Sequence, residues 1–146
     1  MKSVAYILLC LLFTGLCGYG QTPNNRPEKE AEYMLKTFYT KYITVVATDE
    51  GPASGNKMKQ LQQQFCTRAF LKKMPALLEQ TDSDLFLKAQ DTSLDYLKTL
   101  TITKTPISNQ YRVAYMGDVE MGKKRAIVIR VTVVREKDGF KIAGLE

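Results

Sequence analysis

The sequence predicts an α+β domain in which N-terminal helices pack on a curved antiparallel sheet of four or five strands, a cone-like roll. Three observations carry this expectation. Apolar residues recur at helical spacing through the first half of the chain, the period then changes to alternation, and Asp138-Gly139 gives a hairpin signal near the C terminus. With 146 residues, 45% hydrophobic and 25% charged, the chain has the size and composition of one globular domain. A domain of this length buries a core without help from disulfides or metal.

The first 20 residues stand apart. Lys2 precedes the apolar run Val4 to Leu16, and the small-residue stretch Cys17-Gly18-Tyr19-Gly20 follows. That layout predicts a secretory signal peptide over residues 1–20, cleaved after Gly20, and a periplasmic or secreted product. The run is shorter than the roughly 20 residues a membrane span needs. Membrane attachment would arise through lipidation of Cys17, for which Thr14 and Leu16 depart from the usual signal. Residues 21–27 read as a flexible polar spacer, and residues 28–146 as the domain.

Pro27, Glu28 and Glu30 make a good first helical turn. Ala31, Met34, Leu35, Phe38, Tyr42, Val45 and Val46 then share one helical face. Gly51 and Pro52 end this helix, with Ser54 or Asn56 as the next N-cap. Met58, Leu61 and Phe65 mark a second helix. Thr67 caps a third, with Phe70, Leu71, Met74 and Leu78 inward and a kink or break expected at Pro75.

Past Thr81-Asp82-Ser83-Asp84 the pattern becomes extended, Leu85, Leu87 and Ala89 alternating against Phe86, Lys88 and Gln90. Leu94 to Lys104 contains a Thr-rich strand-favouring run, Tyr111, Val113 and Tyr115 alternate inward, and Lys124 to Glu136 is the strongest strand signal. Gly117 and Gly122 bracket the loop before it. With Asp138-Gly139 at the turn, Lys137 pairs with Phe140, Glu136 with Lys141 and Arg135 with Ile142. That register puts Ile127, Ile129, Val131 and Val133 on one face with Phe140 and Ile142.

The net charge is +6, with 21 basic and 15 acidic residues interleaved, the pattern of a solvated mixed surface with no nucleic-acid partner. Of the three cysteines, Cys10 and Cys17 lie in the leader. Cys66 alone remains, in an apolar setting that predicts a buried, inert thiol. The chain contains no histidine, which removes His-dependent bases, triads and metal sites. No phosphate-binding loop, dinucleotide fingerprint or nucleophile elbow is present, and no cofactor or metal is implied. Asp82-Ser83-Asp84 lacks the later oxygen ligand and glycine of a Ca²⁺ loop.

The segments Tyr33 to Tyr42, Phe65 to Thr67, Asp84 to Asp91 and Val133 to Ile142 together resemble domain of unknown function 3828. The order of elements resembles the wider nuclear-transport-factor-2-like (cystatin-like) superfamily. The resemblance implies a fold in which helices close the mouth of a curved sheet, and an exported location. It implies no activity, because that superfamily mixes enzymes, ligand binders and protein partners.

In such a cone, Gln90 and Asp91 at a strand end would face a pocket, where burial would raise the Asp91 pKa. Tyr33, Tyr39, Tyr42, Tyr111 and Tyr115 supply aromatic bodies with hydroxyl tips, of which Tyr39, Tyr42 and Tyr115 are the ligand-binding candidates, and core packing explains them equally well. Three functions follow. The first is a non-catalytic exported module binding a small molecule or protein through this pocket. The second is a small enzyme with Asp91 as general base and Gln90 and tyrosines as donors. The third is a protein inhibitor or envelope assembly factor using the loop Asp49 to Asn56 and the basic run Lys123-Lys124-Arg125, with Lys104 and Arg112 nearby. A homodimer is compatible with each.

Overall fold

The structure, a computed structural model, describes residues 25–49, 51–119 and 123–146. The leader, most of the spacer, and Gly122 lie outside the described residues. Helix α1 (Arg26–Thr48) carries Pro27 and Glu28 in its first turn, where a missing N–H and a negative charge are both tolerated. It buries Ala31, Leu35, Phe38, Tyr39, Tyr42 and Ile43, while Met34, Val45 and Val46 are partly buried beside them. The buried stripe is therefore wider than the periodicity alone suggests.

Helix α2 (Pro52–Phe65) starts at Pro52 rather than after Ser54 or Asn56. Gly51, at φ +74°, turns the chain through the left-handed region, and Pro52 is preorganised for the first helical position. Most of the expected loop 49–56 is thus helical. Helix α3 (Arg68–Leu78) is capped by Thr67, whose Oγ1 accepts from the Phe70 N–H at 3.1 Å. Pro75 does not break it. The helix continues to Leu78, with only the Leu71 carbonyl losing its helical donor.

The expected strand over Leu85 to Gln90 is instead a closed loop. Asp84 N–H donates to the Ala89 carbonyl at 3.1 Å and Lys88 N–H to the Asp84 carbonyl at 2.7 Å. The Asp84 carboxylate accepts from the Phe86 and Leu87 N–H groups, each at 2.8 Å, an Asx turn that outcompetes extended pairing. Phe86 and Leu87 at the tip are both fully buried. A short helix α4 (Tyr96–Thr99) then precedes β1 (Thr101–Lys104), so the Thr-rich run is only partly strand.

Strands β1, β2 (Gln110–Val119), β3 (Lys123–Glu136) and β4 (Gly139–Leu145) form an open antiparallel sheet in sequence order. Four helices pack on it, giving the α+β class. Gly117 lies inside β2, and Lys123-Lys124-Arg125 begins β3 rather than forming a loop. Tyr111, Val113, Tyr115, Ile127, Ile129, Val131, Val133 and Ile142 face the helices and are buried.

The final hairpin pairs Glu136 with Gly139, Arg135 with Phe140 and Val133 with Ile142. The turn residues are Lys137 and Asp138, one step earlier than the Asp-Gly signal suggests. Neither has positive φ, which a turn centred on Asp138-Gly139 would demand of both residues; Gly139 at φ +125° follows the turn instead. The register moves by two residues, so each side chain keeps its face, but Glu136 no longer opposes Lys141. Beyond β4 the chain between α2 and α3 closes the sheet edge: Thr67 N–H donates to the Ile142 carbonyl at 2.9 Å, and Cys66 bridges Ile142.

Phe86 joins α1 to α3, its ring 5.0 Å from Phe38, 5.1 Å from Tyr42 and 6.2 Å from Phe70. Phe86→Ala is expected to cost about 3–5 kcal/mol in urea unfolding, as a large buried aromatic does. A loss below about 1 kcal/mol would mean the loop is not part of the core.

Candidate functional site

The tyrosines singled out in the sequence do converge, but inside the core. Tyr39, Tyr42 and Tyr115 are 0%, 2% and 2% exposed. Phe38 packs against Tyr39, Tyr42, Phe65 and Phe86 at centroid distances of 5.0 to 5.6 Å, and Tyr115 stacks on Tyr96 at 4.8 Å. The space expected to form a pocket between α1 and the sheet is occupied by these rings and by Phe86 and Leu87.

Gln90 and Asp91 are not brought to the tyrosines. Both are exposed, and the nearest tie is through the backbone, the Asp91 carbonyl accepting from the Tyr96 hydroxyl at 3.1 Å. The expected inward placement fails because residues 84–89 close into a loop, carrying the following residues to the surface. The carboxylate that meets the tyrosines is Asp84. Its Oδ2 accepts from the Tyr42 hydroxyl at 2.8 Å while Oδ1 holds the two loop N–H groups. The sequence signal for it was an acid two residues before a buried aromatic, legible as a capping residue but not as a core contact.

Burial raises the Asp84 pKa above the ordinary carboxylate value, against the opposing pull of the Tyr42 hydroxyl and the Leu87 and Phe86 N–H groups. Burial and the Asp84 charge push the Tyr42 hydroxyl up, and burial does the same to Tyr39 and Tyr115. The Cys66 thiol is pushed up to about 12 by burial, with Lys141 pulling the other way. Burial thus moves all three hydroxyls and the thiol further toward their protonated forms. The Tyr115 hydroxyl donates to the Leu87 carbonyl. That of Tyr39 is buried without a protein partner among the described residues.

Surfaces remain. A groove of about 440 Å³ runs between α2 and α3, lined by Met58, Gln62, Leu71, Met74 and Leu78 among others. The sheet face away from the helices is uncovered. Its centre is apolar, with Met116 37% and Val128 39% exposed next to Ala114 and Ala126, which pair with them across the strands. On one side of this strip Arg112 stands directly opposite Arg130, both exposed. No group of three or more acid or cysteine side chains arranged for a metal occurs among the described residues.

No family model matches the chain, and no curated protein matches it. Among solved structures it is similar to a protein of unknown function from Bacteroides thetaiotaomicron VPI-5482, 29% identical, with a TM-score of 0.77 over 84% of this chain and 92% of that one. It is also similar to a chain of the type VI effector-immunity complex Tae3-Tai3 from Ralstonia pickettii, 16% identical, with a TM-score of 0.52 over 80% of this chain and 94% of that one. The second likeness is one of fold.

Two outcomes are expected. Tyr42→Phe should destabilise by about 1–3 kcal/mol, because Asp84 loses a donor while staying buried, whereas Tyr39→Phe should cost less than Tyr42→Phe; equal losses in chemical denaturation would contradict the hydrogen-bond assignment. Separately, the raised Asp84 pKa means that the folded state holds a proton more tightly than the unfolded chain. Its contribution is complete below the ordinary carboxylate value of about 4 and is lost as pH rises through the folded-state value. Asp84→Asn should therefore gain stability relative to wild type as pH rises from about 4, read as the difference between the two melting temperatures. A pH-independent difference would overturn the shift.

Proposed function

We propose that this chain is an exported, non-catalytic interaction module of the domain-of-unknown-function-3828 type that binds another protein through its outer surface. The observation that carries the reading is the filled interior. Tyr39, Tyr42, Tyr115, Phe38 and Phe86 occupy the volume a small ligand would need, and the carboxylate among them, Asp84, is committed to its own loop and to Tyr42. A general base needs an oxygen free to meet substrate, and the half-buried Asp84 has both of its oxygens engaged within the fold. Asp91, the alternative base, is solvated and away from the tyrosine hydroxyls that would have served as donors.

Two further points support the reading. The effector-immunity complex that shares this fold is an assembly of two proteins, and a similar use here is an inhibitor or envelope assembly factor. The leader supports export: Lys2, the apolar run Val4 to Leu16, and the small residues before Gln21.

Protein purified from its native host and sprayed under non-denaturing conditions is expected to show the bare chain and complexes with protein. A stoichiometric small-molecule adduct would overturn the reading in favour of a ligand carrier.

A further inference from the structure

We infer that the uncovered face of the sheet is the docking surface and that it receives an acidic protein surface, with carboxylates placed between Arg112 and Arg130; this rests on the reading of the chain as a protein-binding module. On the outer face of β2 and β3, Met116, Ala126 and Val128 make an exposed apolar strip beside the buried Ala114, and the Arg112–Arg130 pair closes one end of it. An exposed apolar strip beside concentrated charge is the make-up of an interface core with a charged rim.

The arginine pair identifies the occupant. Cross-strand neighbours sit with Cβ atoms about 4.5–5.5 Å apart, and like charges there oppose strand pairing. Among the described residues no ion pair relieves either guanidinium. On the β1 side Arg112 meets the uncharged Thr103. On the other side, Glu146 pairs with Arg130 through the backbone, but its carboxylate turns to Gln110 Nε2 at 3.3 Å. Two adjacent forks with free donors match carboxylates bidentately. A two-fold contact whose axis passed through the arginine pair would set like charges against each other, which disfavours a second copy centred there.

The test is a photoreactive side chain at Val128 of the full chain, irradiated in the native host. The captured protein is identified by mass spectrometry, purified, and titrated against wild type and Arg112→Glu/Arg130→Glu. The expected result is a protein adduct whose purified partner binds the reversed variant at least about tenfold more weakly, and binds wild type more weakly as salt rises. The single variant Arg130→Glu should melt about 1–4 °C higher than wild type, because it turns a repulsive cross-strand pair into an attractive one. The single variant is titrated alongside, so that weaker binding by a chain that melts above wild type is not lost folding.

An adduct whose partner binds both forms equally would overturn the acidic-partner inference and leave the protein-binding reading intact. An adduct of twice the chain mass would replace the partner with a second copy. Sedimentation of wild type with phosphatidylglycerol vesicles, abolished by the reversal, would reassign the face to a membrane. No adduct at Val128, with complexes still seen in native mass spectrometry, would move the docking surface elsewhere; no complexes at all would overturn both readings.

Discussion

The carboxylate of Asp84 is the contact on which the arrangement of helix and sheet depends. Taking an ionisable group out of water costs several kcal/mol unless hydrogen bonds replace the solvent, and Asp84 accepts from Tyr42 and from the N–H groups of Phe86 and Leu87. Those bonds turn residues 84–89 into a rigid loop. Lys88 is held at φ +49° within it, a left-handed conformation that costs a non-glycine residue about 1–2 kcal/mol. The buried Phe86 and Leu87 offset that strain. Each contributes about 1.5–3 kcal/mol by leaving water, and Tyr115 on β2 and Tyr42 on α1 hold the loop from both sides.

A loop inserted between helix and sheet changes what the fold can do. The same elements without it would enclose a hollow lined by tyrosine hydroxyls, suited to a small ligand. With it, the rings of Phe38, Tyr42, Phe70 and Phe86 contact one another, and the Tyr42 and Tyr115 hydroxyls are spent on internal bonds. Burial drives the tyrosines and Cys66 toward their neutral forms, the opposite of what a nucleophile requires. Open space is thereby left at the outer surfaces.

Much of this was legible from residue patterns. The apolar stripe from Ala31 to Tyr42, the cap at Thr67, the inward alternation of Tyr111, Val113 and Tyr115, and the shared face of Val133 and Ile142 all follow from period and local chemistry. The misreadings have one cause, competition between local signals and non-local satisfaction. Leu85 to Gln90 alternates like a strand, but Asp84 offers its N–H groups a nearer acceptor than any partner strand. Asp138-Gly139 signals a two-residue turn, but Asp138 does not take the positive φ such a turn needs, and the turn falls one residue earlier. A strand over Leu85 to Gln90 would put Asp91 at an inward end; with that segment curled, Asp91 is exposed and Asp84 is the carboxylate that meets Tyr42.

The edges of the sheet favour contact through its face. An open antiparallel sheet exposes two rows of unpaired backbone groups, and a partner strand would ordinarily add there. Here the β4 edge is taken by Cys66 and Thr67, the latter donating its N–H to Ile142. The β1 edge is four residues long, and beyond its start the Thr99 hydroxyl takes the Met116 N–H at 2.9 Å. Lys104 at its far end folds back on the carbonyls of Thr105 and Ile107. With both edges blunted in this way, strand addition has little to pair with, whereas the face carrying Met116, Val128 and the two arginines is left uncovered by the helices. What that face offers is side-chain chemistry rather than backbone pairing, apolar at the centre and cationic at one end.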